Sequence, residues 1–381
     1  MHNIQKEPTL IATAAFGLES VVKREVQNLK FENVQTLDGR IEFSPASTED
    51  LPRAIARANL WLRSADRVLL KLGEFPATTF DGLFESTKAL PWHEWIPVDG
   101  KFTVNGKSVR SGLFSVPDVQ SIVKKAVVEK LKQAYKVEWF KEIGAEYTIQ
   151  VALLKDIATL TIDTTGYKNG LHKRGYRERH TAAPMKETMA AALIDLAHYH
   201  GKKAFLDPCC GSGTLAIEAA LIAKNIAPGI ARKFVSEQWE QVPANIWKEA
   251  RHAAYAAMKT DVDPIIHAAD LDADAVTLAK ANAELAGVDD AIVFHHRHLA
   301  DTVLPAEKGI CIVNPPYGER LGEVKVAERL YGELGKVFNH TPWSVYVITP
   351  DEFFETAFKR KARAKRKLFN GMIKTDYYQY F

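Results

Sequence analysis

Two short motifs constrain the fold of this 381-residue chain more than any other feature. Each follows directly on an apolar run: Asp207 to Thr214 (DPCCGSGT) comes after Lys203 to Leu206, and Asn314 to Tyr317 (NPPY) comes after Ile310 to Val313. Around both motifs, strand-length apolar runs alternate with stretches of helical periodicity, which predicts a parallel, doubly wound α/β sheet. Ligands of such sheets bind at the carboxyl ends of the strands, so both motifs are expected at one site.

The first part of the chain is also predicted to alternate strands and helices, but it contains neither motif. One helix is expected over Thr48 to Asn59, with Ser47 as its N-cap. The polar, glycine-rich segment 164–171 then separates two predicted domains, 1–165 and 166–381.

Composition bounds the class of protein. The formal net charge is +3, and hydrophobic residues make up 46% of the chain, as in ordinary globular proteins. No apolar stretch is long enough to span a membrane, and the first residues lack the apolar core of a signal peptide. Three cysteines, two of them adjacent, offer neither a disulfide framework nor metal-ligand spacing. We therefore expect a cytoplasmic protein without a structural metal.

The glycine loop is expected to bind a cofactor. Gly211 and Gly213 permit a tight turn and a close approach of a ligand to the backbone. With Ala216 the spacing also fits the dinucleotide fingerprint, but the acid that an NAD site needs about 20 residues later is missing. The stretch from Ile226 to Thr260 looks like an insertion instead. Asp207 at the strand tip suits a positively charged ligand group, such as the amino group of methionine.

Acidic residues follow the next two strands. Asp270 is expected to accept hydrogen bonds from ribose hydroxyls, and Asp272 to cap the following helix. His298 and Asp301 follow the strand after that, where either could meet an adenine amine. Asp301 is the preferred candidate, and a solvated loop acid is the alternative.

The motif Asn314-Pro315-Pro316-Tyr317 suits chemistry on the exocyclic amine of a nucleobase. Such an amine is a poor nucleophile because its lone pair is delocalised into the ring. The Asn314 amide carbonyl and the Pro315 backbone carbonyl can each accept an amine hydrogen and aim the lone pair at a methyl donor. The two prolines restrict the loop, so alignment costs little entropy. Tyr317 can stack on a base that is flipped out or single-stranded.

Basic residues cluster in two places despite the small net charge. Residues 359–367 carry seven cations in nine positions, and residues 173–177 interleave cations with Tyr176. Contact with phosphates is expected at both, and a solvated helix face is the alternative for the longer run. The predicted RNA-binding residues are Lys173, Arg174, Arg177, Arg320, Arg360, Arg363, Lys365 and Arg366.

These motifs, together with 171–177, 183–188, 227–229 and 366–371, resemble the bacterial THUMP-containing 23S rRNA guanine-N2 methyltransferases of the large-subunit L type. The resemblance covers essentially the whole chain. It implies an N-terminal α+β ferredoxin-like and THUMP domain that binds RNA, followed by a Rossmann-like class I methyltransferase domain that uses S-adenosylmethionine. Some relatives carry a second methyltransferase domain, which we do not expect here. The expected cofactor-binding residues are Asp207, Pro208, Cys209, Gly211, Gly213, Thr214, Asp270, Leu271, Asp301, Asn314, Pro184 and Met185.

The favoured reaction is methyl transfer to the N2 amine of a guanosine in 23S rRNA, which yields S-adenosylhomocysteine. Similar motifs also serve tRNA guanine-N2 and DNA adenine-N6 methyltransferases, and an inert RNA-binding assembly factor is a rival from another class. The sequence leaves open the target nucleotide, the choice between monomer and homodimer, and any need for an assembly intermediate.

Overall fold

The computed structural model of the chain describes residues 8–47, 49–177, 185–316, 321–371 and 373–381. They fall into two compact units. The N-terminal unit holds 8–13, Lys23–Leu171 and Lys233–His252; the C-terminal unit holds Ala14–Val22, His172–Arg232 and Ala253–Phe381. The units are thus interleaved along the chain, and the boundary proposed at residue 165 remains a prediction.

The N-terminal unit is built on a seven-stranded mixed sheet in the order β2-β3-β1-β4-β7-β6-β5, in the part of the chain that is described. Its strands are β1 (Thr9–Thr13), β2 (Glu32–Leu37), β3 (Arg40–Ser44), β4 (Arg67–Pro76), β5 (Lys101–Val109), β6 (Glu146–Leu154) and β7 (Ile157–Asp163). Its helices are α2 (Leu51–Trp61), α3 (Phe80–Lys88) and α4 (Val116–Tyr135), and most of α7 (Ala244–Ala256) also belongs to it; α1 (Glu19–Asn28) is divided between the units.

One local prediction in this unit was wrong. Helix α2 begins at Leu51, because the Asp50 carboxylate, and not Ser47, accepts the N–H of Arg53 at 3.0 Å. Thr48, the predicted first residue, lies outside the described residues. The expected insertion contributes to this unit as well: Trp239 stacks on Tyr147 at 4.8 Å and donates its indole N–H to the β6 backbone.

The C-terminal unit holds a second seven-stranded sheet, ordered β10-β9-β8-β11-β12-β14-β13 in the described residues. Its strands are β8 (Ala204–Asp207), β9 (Ile266–Asp270), β10 (Val293–His296), β11 (Gly309–Val313), β12 (Ser344–Thr349), β13 (Ala364–Asn370) and β14 (Ile373–Tyr380). Its helices are α5 (Glu187–Leu196), α6 (Thr214–Ala223), α8 (Ala273–Ala286), α9 (Leu321–Phe338) and α10 (Phe354–Phe358).

This sheet is mixed, which corrects the expectation of a wholly parallel one. The five strands β10, β9, β8, β11 and β12 are parallel, but β14 runs antiparallel to β12 and β13 runs antiparallel to β14. The second half of the basic run lies in strand β13, so the run is not a helix face.

Strand pairing brings the two motifs together. Strands β8 and β11 are parallel neighbours, with Leu206 opposite Cys311, so the loops that follow them leave the same edge of the sheet. Helix α6, which begins at the glycine loop, is buried along nearly its whole length. Its own residues are mostly apolar or alanine on every face, so no face of the helix favours solvent. The glycine loop therefore lies between a buried strand and a buried helix.

No helix in the described ranges has the length and apolarity that a bilayer crossing requires.

Candidate active site

A cavity of about 870 Å³ opens at the carboxyl ends of β8, β9 and β11, within the C-terminal unit. Its size lies in the upper part of the range for small-molecule sites, about 300–1,000 Å³. Most of the predicted cofactor and catalytic residues line it: Met185, Asp207, Pro208, Cys209, Gly211, Thr214, Asp270, Leu271, Asn314, Pro315 and Pro316. Pro184, Tyr317 and Arg320 lie outside the described residues.

Asp270 connects the end of β9 to the glycine loop. One carboxylate oxygen accepts the N–H of Gly211 at 2.8 Å, and the other accepts the N–H of Asp272 at 3.0 Å. These bonds fix the orientation of the carboxylate and leave each oxygen further lone-pair capacity. Asp272 in turn accepts the N–H of Asp274 at 2.9 Å and caps α8, as predicted. Asp270 is thus held with accepting capacity to spare at the cavity wall.

Asp207 is a buried acid in the cavity lining. Burial is the main cause that raises the pKa of its carboxyl to about 8. The N–H donated by Cys209 at 3.3 Å opposes this rise, and the charge of Asp270 adds to it. Among the described residues, no side-chain cation pairs with Asp207. An ammonium group bound in the cavity would supply the missing positive charge, so this acid fits the amino end of a methionine-like ligand.

The two glycines of the loop serve different purposes. A Cβ at Gly211 would meet no atom within 4 Å, so the loop backbone faces open cavity there. Gly213 does not line the cavity; it adopts a left-handed φ of +84°, and a Cβ would approach the Cβ of Ala279 at 3.0 Å. Gly211 therefore permits close ligand approach, whereas Gly213 permits α6 to pack against α8.

Asn314 carries a buried amide oxygen that lacks a hydrogen-bond partner among the described residues. Leaving such an acceptor unpaired costs about 1–3 kcal/mol, so a native protein keeps one for a reason. The next residue, Pro315, is buried and Pro316 is exposed at the rim. Among the described residues, this oxygen therefore keeps its full accepting capacity in the cavity lining.

The third strand end differs from the prediction. His298 and Leu299 line the cavity, whereas Asp301 is exposed and lies outside the lining. His298 Nδ1 accepts the N–H of Ala300 at 3.1 Å, which fixes its ring. Leu271 is 64% exposed at the wall, as an apolar surface for a flat ring would be. His298 is accordingly a better candidate than Asp301 for meeting the adenine.

Helix α9 supplies a wall of the cavity that the sequence analysis missed. The lining residues are Lys325, Val326, Arg329, Leu330 and Glu333. They follow helical spacing, which would have identified them as one face of a helix but not which ligand that face meets. The Glu333 side chain accepts the Arg329 Nε–H at 3.1 Å and lies 3.7 Å from His298 Nε2.

Two of the predicted RNA-binding arginines are turned into the protein. Arg174 is 3% exposed, and its Nε lies 3.3 Å from the buried carboxylate of Glu218. Arg177 pairs with Glu187 at 2.9 Å and donates to the carbonyl of Met185 at 2.9 Å. This revises the expectation that these cations face phosphates: they brace the region beside the cavity. Lys173 is exposed.

The basic run is similarly divided. Lys365 pairs with Glu355, and Arg366 donates to the carbonyl of Gly17 at 3.0 Å and to Ser20 at 2.9 Å. These two cations are therefore engaged by the protein itself, which revises the expectation that they contact phosphates. Arg360 and Arg363 are exposed beside aromatic rings, and Arg363 also donates to the backbone carbonyl of Phe381 at 3.3 Å. Their exposed guanidinium groups can still meet an outside anion.

Comparison with known proteins identifies the family of the chain. Residues 174–379 match the family of RMKL-like methyltransferase domains, 77–163 match the THUMP domain, and 9–69 match the RlmL ferredoxin-like domain. These matches confirm the predicted combination of an N-terminal ferredoxin-like and THUMP part with a Rossmann-like methyltransferase domain.

Among curated proteins, the chain is 52% identical over 379 residues to YpsC of Bacillus subtilis (strain 168), named as a candidate RNA methyltransferase; the match covers 99% of the chain and 96% of YpsC. It is 32% identical over 369 residues to the ribosomal RNA large subunit methyltransferase K/L of Psychromonas ingrahamii, where the match covers 94% of the chain. It covers only 48% of that relative, so the chain spans about half the length of the K/L protein.

Two solved structures are similar over nearly the whole chain. One, from Listeria monocytogenes str. 4b F2365, is described as a predicted N6-adenine-specific DNA methylase; it has 48% identity, a TM-score of 0.92, and coverage of 98% of this chain and 96% of that one. The other, SMU.472, is described as a candidate methyltransferase complexed with SAH; it has 42% identity, a TM-score of 0.91, and coverage of 99% of each chain.

Proposed function

We propose that this chain, which belongs to the family of RMKL-like methyltransferase domains, transfers a methyl group from S-adenosylmethionine to the exocyclic N2 amine of a guanosine in large-subunit rRNA. The proposal rests on the amide oxygen of Asn314, which is buried and has no hydrogen-bond partner among the described residues. Asn314 and the glycine loop line the same cavity.

The cavity residues fit S-adenosylmethionine by their charge and shape. The buried Asp207 would accept the ammonium group, the Asp270 carboxylate would accept ribose hydroxyls, and the bare backbone at Gly211 leaves room between them. His298 and Leu271 would face the adenine. When bound, the cofactor supplies an electrophilic methyl group on a sulfonium sulfur.

The residues after β11 would handle the nucleophile. The Asn314 oxygen accepts one hydrogen of the exocyclic amine, and the Pro315 backbone carbonyl accepts the other, so the nitrogen turns its lone pair toward the methyl group. A nitrogen–carbon bond forms as the carbon–sulfur bond breaks, and the methylated ammonium releases its extra proton to water. The prolines limit loop motion, so little entropy is lost at this step. Tyr317 is proposed to stack on the base.

The THUMP match and the names of the two curated relatives support RNA as the substrate class. The choice of guanine-N2 follows from the resemblance of the motif residues to the L-type enzymes. The description of the Listeria protein favours a second candidate, N6 methylation of adenine in DNA, since an Asn-Pro-Pro-Tyr site can hold either amine.

Product analysis separates these candidates. The purified chain is incubated with isotopically labelled S-adenosylmethionine and either total RNA from a strain that lacks the gene or unmethylated genomic DNA. The nucleosides are then identified by mass spectrometry. Labelled N2-methylguanosine in 23S rRNA is the expected product. Labelled N6-methyl-2′-deoxyadenosine from DNA, or label in tRNA alone, would replace the proposal. Absence of transfer with intact cofactor binding would support an assembly factor.

A further inference from the structure

Helix α9 contributes two exposed cations to the same cavity that Asn314 lines. Lys325 and Arg329 are both exposed and both line the cavity. They lie four residues apart on one helix, so their side chains project from the same face. The sequence analysis singled out neither residue, and the cofactor contacts described above do not use them.

Arg329 is held in a defined direction. Its Nε donates to Glu333 at 3.1 Å, and Glu333 is itself 9% exposed, with its other oxygen near the His298 ring. An ion pair with so exposed an arginine adds little stability. Its consequence is geometric: the terminal nitrogens of the guanidinium, for which the described residues provide no hydrogen-bond partner, remain free to meet a ligand.

Charge divides the cavity into two parts. The glycine-loop side carries Asp207, Asp270 and Asp272, whereas the α9 side carries Lys325, Arg329 and Glu333. Because Glu333 is paired with Arg329, the α9 side keeps one net positive charge. A sulfonium cofactor with an ammonium group suits the acidic side. A nucleic-acid strand brings one negative phosphate per nucleotide and suits the basic side. The distribution of charge therefore favours binding of the two substrates at different walls.

We propose that Lys325 and Arg329 bind the RNA backbone phosphate next to the target nucleotide and thereby hold the extruded base at Asn314. A guanidinium can bind a phosphate through two parallel hydrogen bonds, and the lysine adds a point charge one turn away. This inference rests on the proposed function, because it assumes that the nucleophile belongs to a polynucleotide.

The test compares Lys325→Ala and Arg329→Ala with Lys336→Ala. Lys336 is an exposed cation of the same helix that lies outside the cavity lining, so it controls for charge and helix propensity. Binding of rRNA from the deletion strain is measured at several salt concentrations, and SAH binding is measured by calorimetry.

Each cavity variant is expected to weaken RNA binding about tenfold at low salt, the loss that one charge-assisted contact gives. The slope of log K against log salt should shrink by about 0.7 for each phosphate contact removed from a single strand. SAH affinity should stay within about twofold of wild type for all three variants, and Lys336→Ala should keep the wild-type slope.

An unchanged salt slope in the cavity variants would overturn the proposal. So would a loss of SAH affinity matching the loss of RNA affinity, because the cations would then hold the carboxylate of the cofactor. Guanosine monophosphate that competes as strongly as RNA would assign the site to free nucleotides instead. Failure of the proposed function can be told apart from failure of this inference. The first changes the identity of the methylated nucleoside, and the second changes the salt slope of the cavity variants.

Discussion

The carboxylate of Asp270 accepts the backbone N–H of Gly211 at 2.8 Å, so the end of β9 holds the loop that follows β8. A ribose-binding acid would thus also set the shape of the surface on which the rest of the cofactor lies. The two loops form one preorganised unit, and damage to either is expected to affect binding more than the chemical step.

Asp270→Ala is expected to raise the Kd for SAH by about 10- to 100-fold, since it removes an acceptor for ribose and releases Gly211. Asp274→Ala is the matched control: it removes a neighbouring carboxylate of the first turn of α8 that lies outside the cavity lining. Calorimetric titration with SAH compares the two. An unchanged Kd in Asp270→Ala would refute the ribose assignment.

Asn314→Ala is expected to lower kcat by about 100-fold or more while SAH affinity stays near normal, because the amide oxygen acts on the amine and not on the cofactor. Asn339→Ala serves as the control, since Asn339 also has a buried, unpartnered amide oxygen but lies outside the cavity lining. Single-turnover methyl transfer gives the rate. Equal losses in rate and in SAH affinity would count against the assigned role.

Cofactor binding is expected to strengthen as pH rises toward 8. The free protein holds a proton on Asp207 below a pKa of about 8, whereas a bound ammonium favours the ionised carboxylate. Binding therefore releases up to one proton, and affinity should gain up to about tenfold per pH unit from pH 6 to 8. Asp207→Asn should flatten this dependence. Calorimetry in buffers of different ionisation enthalpy counts the proton; no proton release in the wild type would contradict the prediction.

The same carboxyl should affect the stability of the cofactor-free protein with the opposite sign to an ordinary ion-paired acid. Its pKa rises from the ordinary value of 3.8 to about 8 on folding, so the folded state binds more protons across that interval. The free energy of unfolding should therefore fall as pH rises between about 4 and 8. Asp207→Asn should remove this contribution to the change of the free energy of unfolding with pH. Denaturation at several pH values measures that change. If it were the same in Asp207→Asn and in the wild type, the raised pKa would be contradicted.

Arg174→Met is expected to destabilise helix α6 by about 3–5 kcal/mol, because it leaves the buried carboxylate of Glu218 without its guanidinium. Glu218→Gln in the same chain should recover part of the loss. Lys224→Ala is the control, since its partner Asp290 is 70% exposed and the pair should contribute less than about 1 kcal/mol. Hydrogen exchange of α6 amides reports the local stability. Equal effects of Arg174→Met and Lys224→Ala would refute the claim.

Serine at exposed cations of the run should flatten the salt dependence of RNA binding by about 0.7 for each phosphate that the variant no longer binds. The replaced cations are Lys359, Arg360, Lys361, Arg363 and Lys367. The control is Lys202→Ser with Lys203→Ser, because these exposed lysines precede β8 and thus lie at the sheet edge opposite the cavity. Filter binding at several salt concentrations gives both slopes. Equal slopes in the two variants would mean that the basic run is only a solvated surface.

The sequence predicted the strands that carry the site better than the ends of the sheets. Strands β8 and β11 are short, apolar and buried, and their following motifs marked where they end. The edge strand β2 was missed because its residues are mostly exposed and give no apolar alternation. Strand β13 was missed because its cations suggest a solvated surface, whereas pairing with β14 decides its conformation.

The sequence predicted cavity residues whose type and position at a strand end already indicate their chemistry, such as Asp270 and Asn314. The site was not predictable where a tertiary partner changes the role of a side chain. Arg174 and Arg366 look like phosphate ligands in the sequence, but Glu218 and the carbonyl of Gly17 engage them in the folded chain. The cations of α9 gave no local signal, because only the fold places that helix over the ends of the strands.

The most direct test is a crystal structure of the chain with SAH. The account predicts the adenosyl group between Asp270 and His298, the amino group at Asp207, and the sulfur directed toward the Asn314 oxygen and Pro315. SAH bound elsewhere, or in this cavity with its sulfur directed away from Asn314, would contradict it.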